Sequence, residues 1–148
     1  MSCLTRPDRL EAFGIGVAAP LAVLAQRRFG VASASWLLSA GLPGRDAGAW
    51  LTDPALDEAS RERLVDGLTS LVERLQRERI VHGDLKATNF LVDEADVWLL
   101  DLHAVRRSGP AIDRGLRRDR RRFLRNLEPW PALQARAQVR LEGRPSAP

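Results

Sequence analysis

Leu64, Val65, Leu68, Leu71, Val72 and Leu75 recur at spacings of 1, 3, 3, 1 and 3 residues. All six therefore fall on one stripe of an α-helix, with arginines and glutamates on the opposite face. Asp57 stands at the N-cap position, and Glu58 and Glu62 lie near the positive end of the helix dipole. The expectation is a helix over about 57–77, buried along one side. Such a helix must be covered by whatever precedes and follows it.

The flanking segments supply short strands. Residues 5–13 read as a short helical end stopped by Gly14 and Gly16. Pro20 inside the apolar run Val17–Ala25 suits an edge strand, Arg27–Gly30 a turn, and Ala32–Leu38 a second strand. Gly41-Leu-Pro-Gly44 is a bend. After the helix come Ile80-Val81, a polar loop from His82 to Asn89, and two apolar runs, Phe90–Val92 and Val97–Leu100. The acidic turn Asp93–Asp96 joins those runs into a predicted hairpin. A basic helix is expected over about 114–127, stopped at Glu128-Pro129-Trp130-Pro131. Ala132–Leu141 would add an amphipathic turn or two, and 143–148 a frayed tail. Trp36, Trp50 and Trp98 are expected to pack, Trp130 to anchor the last helix, and Cys3 to be inert. The fold class is α+β, in a chain of 148 residues that suffices for one domain.

Composition narrows the chemistry. Of 23 basic residues only Lys86 is lysine, which excludes any mechanism needing two lysines and, with no glycine before it, a GK[ST] phosphate loop. One cysteine and two histidines, His82 and His103, rule out an intramolecular disulfide and argue against multi-cysteine or His-rich metal sites. No secretory leader and no apolar run of membrane-spanning length is present, so a cytoplasmic setting is expected. The formal charge of +4 is local. Residues 106–125 hold nine arginines against Asp113 and Asp119, whereas the other 128 carry 14 basic and 17 acidic groups. Such a segment can be a solvated helix face or a site for phosphate-rich partners.

The polar members of 80–101 are His82, Asp84, Lys86, Asn89 and Asp101. Singly, an Asp can cap a turn, an Asn can satisfy loop backbone, and an Asp can end a strand. Together, D-x-K-x-x-N in a loop, a hairpin, and an Asp at its far end form a layout suited to phosphoryl transfer. Asn89 and Asp101 could hold Mg²⁺, a hard cation that takes oxygen ligands. Asp84 could orient an attacking hydroxyl, and Lys86 could meet the γ-phosphate as charge shifts. His82 would anchor the loop as a structural residue.

His82-Gly-Asp-Leu-Lys-Ala-Thr-Asn89 with Asp101 resembles the catalytic loop and metal Asp of the protein-kinase-like superfamily. Within it, the chain resembles the Kdo/WaaP-type lipopolysaccharide kinase family. Gly83 stands where protein kinases usually carry Arg, and Leu100-Asp-Leu-His103 replaces Asp-Phe-Gly. An arginine-rich helix ending Leu124-Arg-Asn-Leu127 follows almost at once. Phe13-Gly-Ile-Gly-Val-Ala-Ala-Pro20 and Ser35–Gly44 resemble the approach to the hinge and the hinge itself. Aminoglycoside- and choline-kinase-like enzymes share the His-Gly-Asp start but seldom have a lysine at the place of Lys86.

The resemblance implies a kinase-like C-terminal lobe at 45–142, a hinge-proximal remnant at 1–44, and an N-terminal lobe largely absent. It also implies ATP and Mg²⁺ as cofactors and transfer of the γ-phosphate to a sugar hydroxyl of the lipopolysaccharide inner core or lipid A. Asp84 and Lys86 would be catalytic. Lys86, Asn89 and Asp101 would meet the nucleotide, and Asn89 and Asp101 the metal. Arg117, Arg118, Arg120, Arg121, Arg122 and Arg125 would form a patch for an anionic partner, with the chain peripheral at the inner face of the inner membrane. No Gly-rich loop and no second lysine are found, so a fragment, a natural truncation and a retained binding module all stay open. Weak or no activity is expected of the chain alone. The alternative reading is a non-catalytic basic module for anionic lipid or nucleic acid, although base-stacking aromatics are scarce.

Overall fold

The computed structural model describes residues 7–143 apart from Gly30, Glu94, Ala95 and Ser108. The expected tail, apart from Gly143, and Cys3 lie outside the described residues. In chain order the elements are α1 (Pro7–Ala12), β1 (Gly16–Val17), β2 (Pro20–Arg28), β3 (Val31–Ser39), β4 (Arg45–Asp46) and α2 (Ala47–Leu51). There follow α3 (Glu58–Arg77), β5 (Phe90–Asp93), β6 (Asp96–Leu99), α4 (Ile112–Arg125) and α5 (Pro131–Glu142). Short 3₁₀ turns lie at Ala87–Asn89 and Leu102–Ala104.

The apolar stripe organises this order. The Asp57 carboxylate accepts Ser60 N–H and Oγ–H, both at 2.8 Å, and so caps α3. Those bonds hold its carboxyl below the ordinary aspartate range. Val65, Leu68, Leu71, Val72 and Leu75 are buried, while Leu64 packs at the core's margin. Thr69 is also fully buried, its hydroxyl donating to the Val65 carbonyl at 2.7 Å. Against the stripe lie Leu10, Ile15, Val17, Phe90, Leu99, Phe123, Leu127 and Leu133. The core thus joins residues on both sides of residue 44. Phe90 and Phe123 meet edge to face, their centroids 6.0 Å apart.

A four-stranded sheet runs β1-β6-β5-β4, with β1 parallel to β6 and the other pairs antiparallel. It carries the expected hairpin of β5 and β6. α5 is a twelve-residue helix rather than a turn or two. Arg140 ties it to Glu73 and Asp66 of α3 at 2.9 and 3.2 Å. Trp130 closes against the core beneath Arg61.

Two departures have physical causes. β4 and α2 carry no hydrophobic period long enough to announce them. Asp46 creates the second, its side chain accepting Ala49 N–H at 2.9 Å. The β2–β3 hairpin is the other. Every residue of β2 is exposed, and so are Leu37 and Leu38. Trp36 does not pack as expected: it is 53% exposed, because no described element covers that hairpin face. Among the described residues, no helix is long and apolar enough to cross a membrane.

Gly44 sits at φ +100°, and a Cβ there would lie 2.3 Å from the Val92 carbonyl oxygen. Gly44→Ala is expected to lower stability by about 1–3 kcal/mol in urea unfolding. Gly41→Ala, with open space around it, should leave the midpoint essentially unchanged.

Candidate active site

The loop 82–89 leaves the core beside α3, and α4 lies across it. Val81 and Arg106 form a two-bond bridge at 2.8 and 2.9 Å, which brings the start of α4 against the loop's first residue. Gly115, Asp119, Arg122 and Asn126 then recur at spacings of 4, 3 and 4 along one helical stripe. A Cβ on Gly115 would lie 2.7 Å from a Val81 methyl, so the helix approaches closely only because that residue is glycine. Asp119 is buried and accepts His82 N–H at 2.7 Å and Gly83 N–H at 3.1 Å. Arg122 pairs with the Asp84 carboxylate. Asn126 donates to the Leu85 carbonyl at 3.4 Å. In effect α4 grips the loop residue by residue.

His82 is fully buried. Its Nδ1 accepts Asp84 N–H at 3.3 Å, and its Nε2 lies 2.9 Å from the Leu100 carbonyl. That pattern fits an Nε2–H tautomer bridging the loop to the end of β6. Gly83 has φ +94°, and a Cβ there would meet that of Ala104 at 2.8 Å. A side chain is excluded at Gly83 by backbone conformation and by space together.

Asp84, Lys86 and Asn89 converge. Lys86 Nζ lies 3.2 Å from an Asp84 carboxylate oxygen. Asn89 Nδ2 donates to the Asp84 carbonyl at 2.7 Å and its carboxylate at 3.4 Å. The Lys86 hydrogen bond, joined by the charges of Lys86 and Arg122, holds the Asp84 carboxyl below its ordinary value of 3.8, against the effect of desolvation. These pairs therefore contribute stability at pH above that value, and lose it as pH falls through the lower folded one.

Asp101 follows β6. Leu100 N–H donates to the Asn89 carbonyl at 2.9 Å, which sets Asp101 one residue from that contact. Asp101 takes a left-handed conformation at φ 59° and pairs with His103. The donor set suits Mg²⁺. Asn89 Oδ1 has no protein donor among the described hydrogen bonds, and Asp101 adds a carboxylate. The described residues contain no group of three or more His, Cys, Asp or Glu arranged for a metal. A cation between Asn89 and Asp101 would draw its remaining ligands from phosphate oxygens and water, as Mg²⁺ commonly does.

A model of the lipopolysaccharide kinase (Kdo/WaaP) family matches residues 6–140. The chain belongs to that family. A search of curated protein sequences returned no match. Among solved structures, WaaP in complex with acyl carrier protein is similar with a TM-score of 0.70 and 18% identity over 93% of this chain. That likeness is one of fold, and this chain spans 64% of that one.

Within this Kdo/WaaP-family fold, five of the six arginines of the expected patch lie on one exposed arc of α4, and Arg120 lies off it. Arg117, Arg118, Arg121, Arg122 and Arg125 are exposed. Arg120 is half-buried and lies two residues, about 200° of helix rotation, from Arg122. Sequence reasoning passed over Asp119 as a countercharge within a basic run. Its signal was phase, because it falls with Ile112, Gly115 and Phe123 on the helix's buried side. Asp119→Ala should orphan two backbone N–H groups at about 1–3 kcal/mol each. Urea unfolding would show the loss, and Asp113→Ala on the exposed side should show almost none.

Proposed function

We propose that this chain carries the phosphoryl-transfer and acceptor-facing half of a lipopolysaccharide inner-core sugar kinase, moving the ATP γ-phosphate to a sugar hydroxyl. The convergence of Asp84, Lys86 and Asn89 beside Asp101, in a member of this family, carries the reading. Asp84 accepts and orients the hydroxyl of the acceptor. Its low pKa keeps it a carboxylate at neutral pH, ready to take the proton as the oxygen attacks. Lys86, half-exposed beside Asp84, offsets the charge that gathers on the moving phosphoryl group. Asn89 and Asp101 hold Mg²⁺, which when bound neutralises phosphate oxygens. His82 and Asp119 touch no reactant and keep the loop in place.

The acceptor, a sugar of the inner core or lipid A, is polyanionic and lies at a membrane face. The exposed arginines of α4 suit such a partner, with the protein peripheral at the inner face of the inner membrane. With a single lysine and no Gly-rich loop, residues 1–148 alone are weakly active or inactive. The same arginines favour the second reading, a non-catalytic basic module for anionic lipid. Specific nucleic-acid binding is not part of it, since stacking aromatics are scarce along α4.

One assay separates the two readings. Transfer of labelled γ-phosphate from Mg-ATP to inner-core oligosaccharide should fall about 10²–10⁴-fold in Asp84→Asn. The Mg²⁺ needed for half-maximal rate should rise about 10–100-fold in Asp101→Asn. Where wild type transfers measurably, an equal rate in Asp84→Asn would leave the binding module standing and remove the kinase.

A further inference from the structure

Arg122 is the one residue of the α4 stripe that engages a group the proposed chemistry needs free. Gly115 lets the helix close on Val81, and Asp119 and Asn126 hold backbone of the loop, whereas Arg122 holds the Asp84 carboxylate itself. Arg122 is 45% exposed and Asp84 25%, so the pair sits at the solvent-facing mouth of the site and solvent ions can compete for it. Around it the charge is lopsided. Arg118 and Arg125, four residues before and three after Arg122, share its side of the helix. Both are exposed and have no carboxylate partner among the described ion pairs, and Lys86 lies on the other side of Asp84. One carboxylate thus holds two cationic side chains, Lys86 and Arg122, and two more arginines stand on Arg122's side of the helix.

We propose that Arg122 is an acceptor-recognition residue that Asp84 and an anionic group of the acceptor sugar occupy in turn. Without acceptor, Arg122 caps Asp84. When a sugar carrying a phosphate or a carboxylate enters, the guanidinium forks onto that anion, supported by Arg118 and Arg125. The Asp84 oxygen it leaves is then open to the neighbouring hydroxyl. In the step that follows, the hydroxyl proton passes to Asp84 and its oxygen bonds the γ-phosphorus. The bond from that phosphorus to the bridging oxygen breaks, and ADP leaves with the electron pair. The acceptor's own charge uncovers the group that activates its hydroxyl, so neutral sugars and water leave Asp84 capped. This deepens the kinase reading and rests on it, but the competition for Arg122 needs no ATP and is testable alone.

The test is a double-mutant cycle on the 148-residue chain, with glucose 1-phosphate, glucuronate and glucose titrated by calorimetry and by the Arg122 Nε–H NMR signal. Wild type should bind the phosphate sugar, the acid sugar, or both, and the two arms show which anion is preferred. Glucose should leave the Arg122 signal in place. Asp84→Asn should bind the anionic sugar about tenfold more tightly, because its competitor is gone. Arg122→Gln should lose that binding and Arg122→Lys recover part of it, with unchanged amide fingerprints showing that each variant is folded. In the Arg122→Gln background, Asp84→Asn should change affinity less than about twofold. Equal affinities of wild type and Asp84→Asn would overturn the proposal, as would the same gain with Arg122 absent or binding of glucose as tight as that of its phosphate. Those results would leave the phosphotransfer assay untouched, and a failed phosphotransfer assay would leave the cycle untouched.

Discussion

A buried carboxylate receiving two backbone N–H groups is the contact on which the rest of the site depends. Asp119 reaches from α4 to the amides of His82 and Gly83, where no strand or helix hydrogen bond is available to them. A buried unpaired N–H is costly, and so is a buried unpaired carboxylate, so each makes the other tolerable. Once those two amides are fixed, His82 can bridge Asp84 and Leu100, and the loop delivers Asp84, Lys86 and Asn89 to one place. The sheet and α3 provide the floor, while α4 provides the grip.

What could be read beforehand followed the strength of each local signal. The α3 stripe has a 3.6-residue period and a side-chain cap, two agreeing levels of evidence, and its observed bounds match closely. The β5–β6 hairpin was legible from two apolar runs about an acidic turn. Asp84, Lys86, Asn89 and Asp101 stand out in the sequence as a pattern, and the first three meet in space. β4 and α2 were hidden because two and five residues carry no period. Asp119 was hidden because arginines on both sides made it look like a solvated countercharge, although its helical phase is that of Ile112 and Phe123. Gly83 stands where protein kinases usually carry arginine, and its φ and the closeness of Ala104 explain the glycine. Trp36 stands exposed: apolar alternation says that a strand face wants cover, and not whether the cover is present.

The basic run also changes meaning when folded. Nine arginines in twenty residues suggested one undifferentiated surface. The fold divides them by what each one meets. Arg106 holds Val81 by backbone, Arg107 reaches the Glu78 carbonyl and stacks on Phe13, and Arg122 meets Asp84. The remaining exposed arginines surround that last contact or turn away from it. Lys86, the single lysine, shares Asp84 with Arg122. Two of the chain's cationic side chains thus converge on the one carboxylate of the loop.

Amide hydrogen exchange at His82 and Gly83 reads the two N–H groups that Asp119 holds, and so shows whether that carboxylate fixes the loop. Both should exchange as slowly as the amides of the α3 core, opening only with global unfolding. Exchange of either at the rate of a solvent-exposed loop would contradict it, because the carboxylate would then not be what fixes the loop.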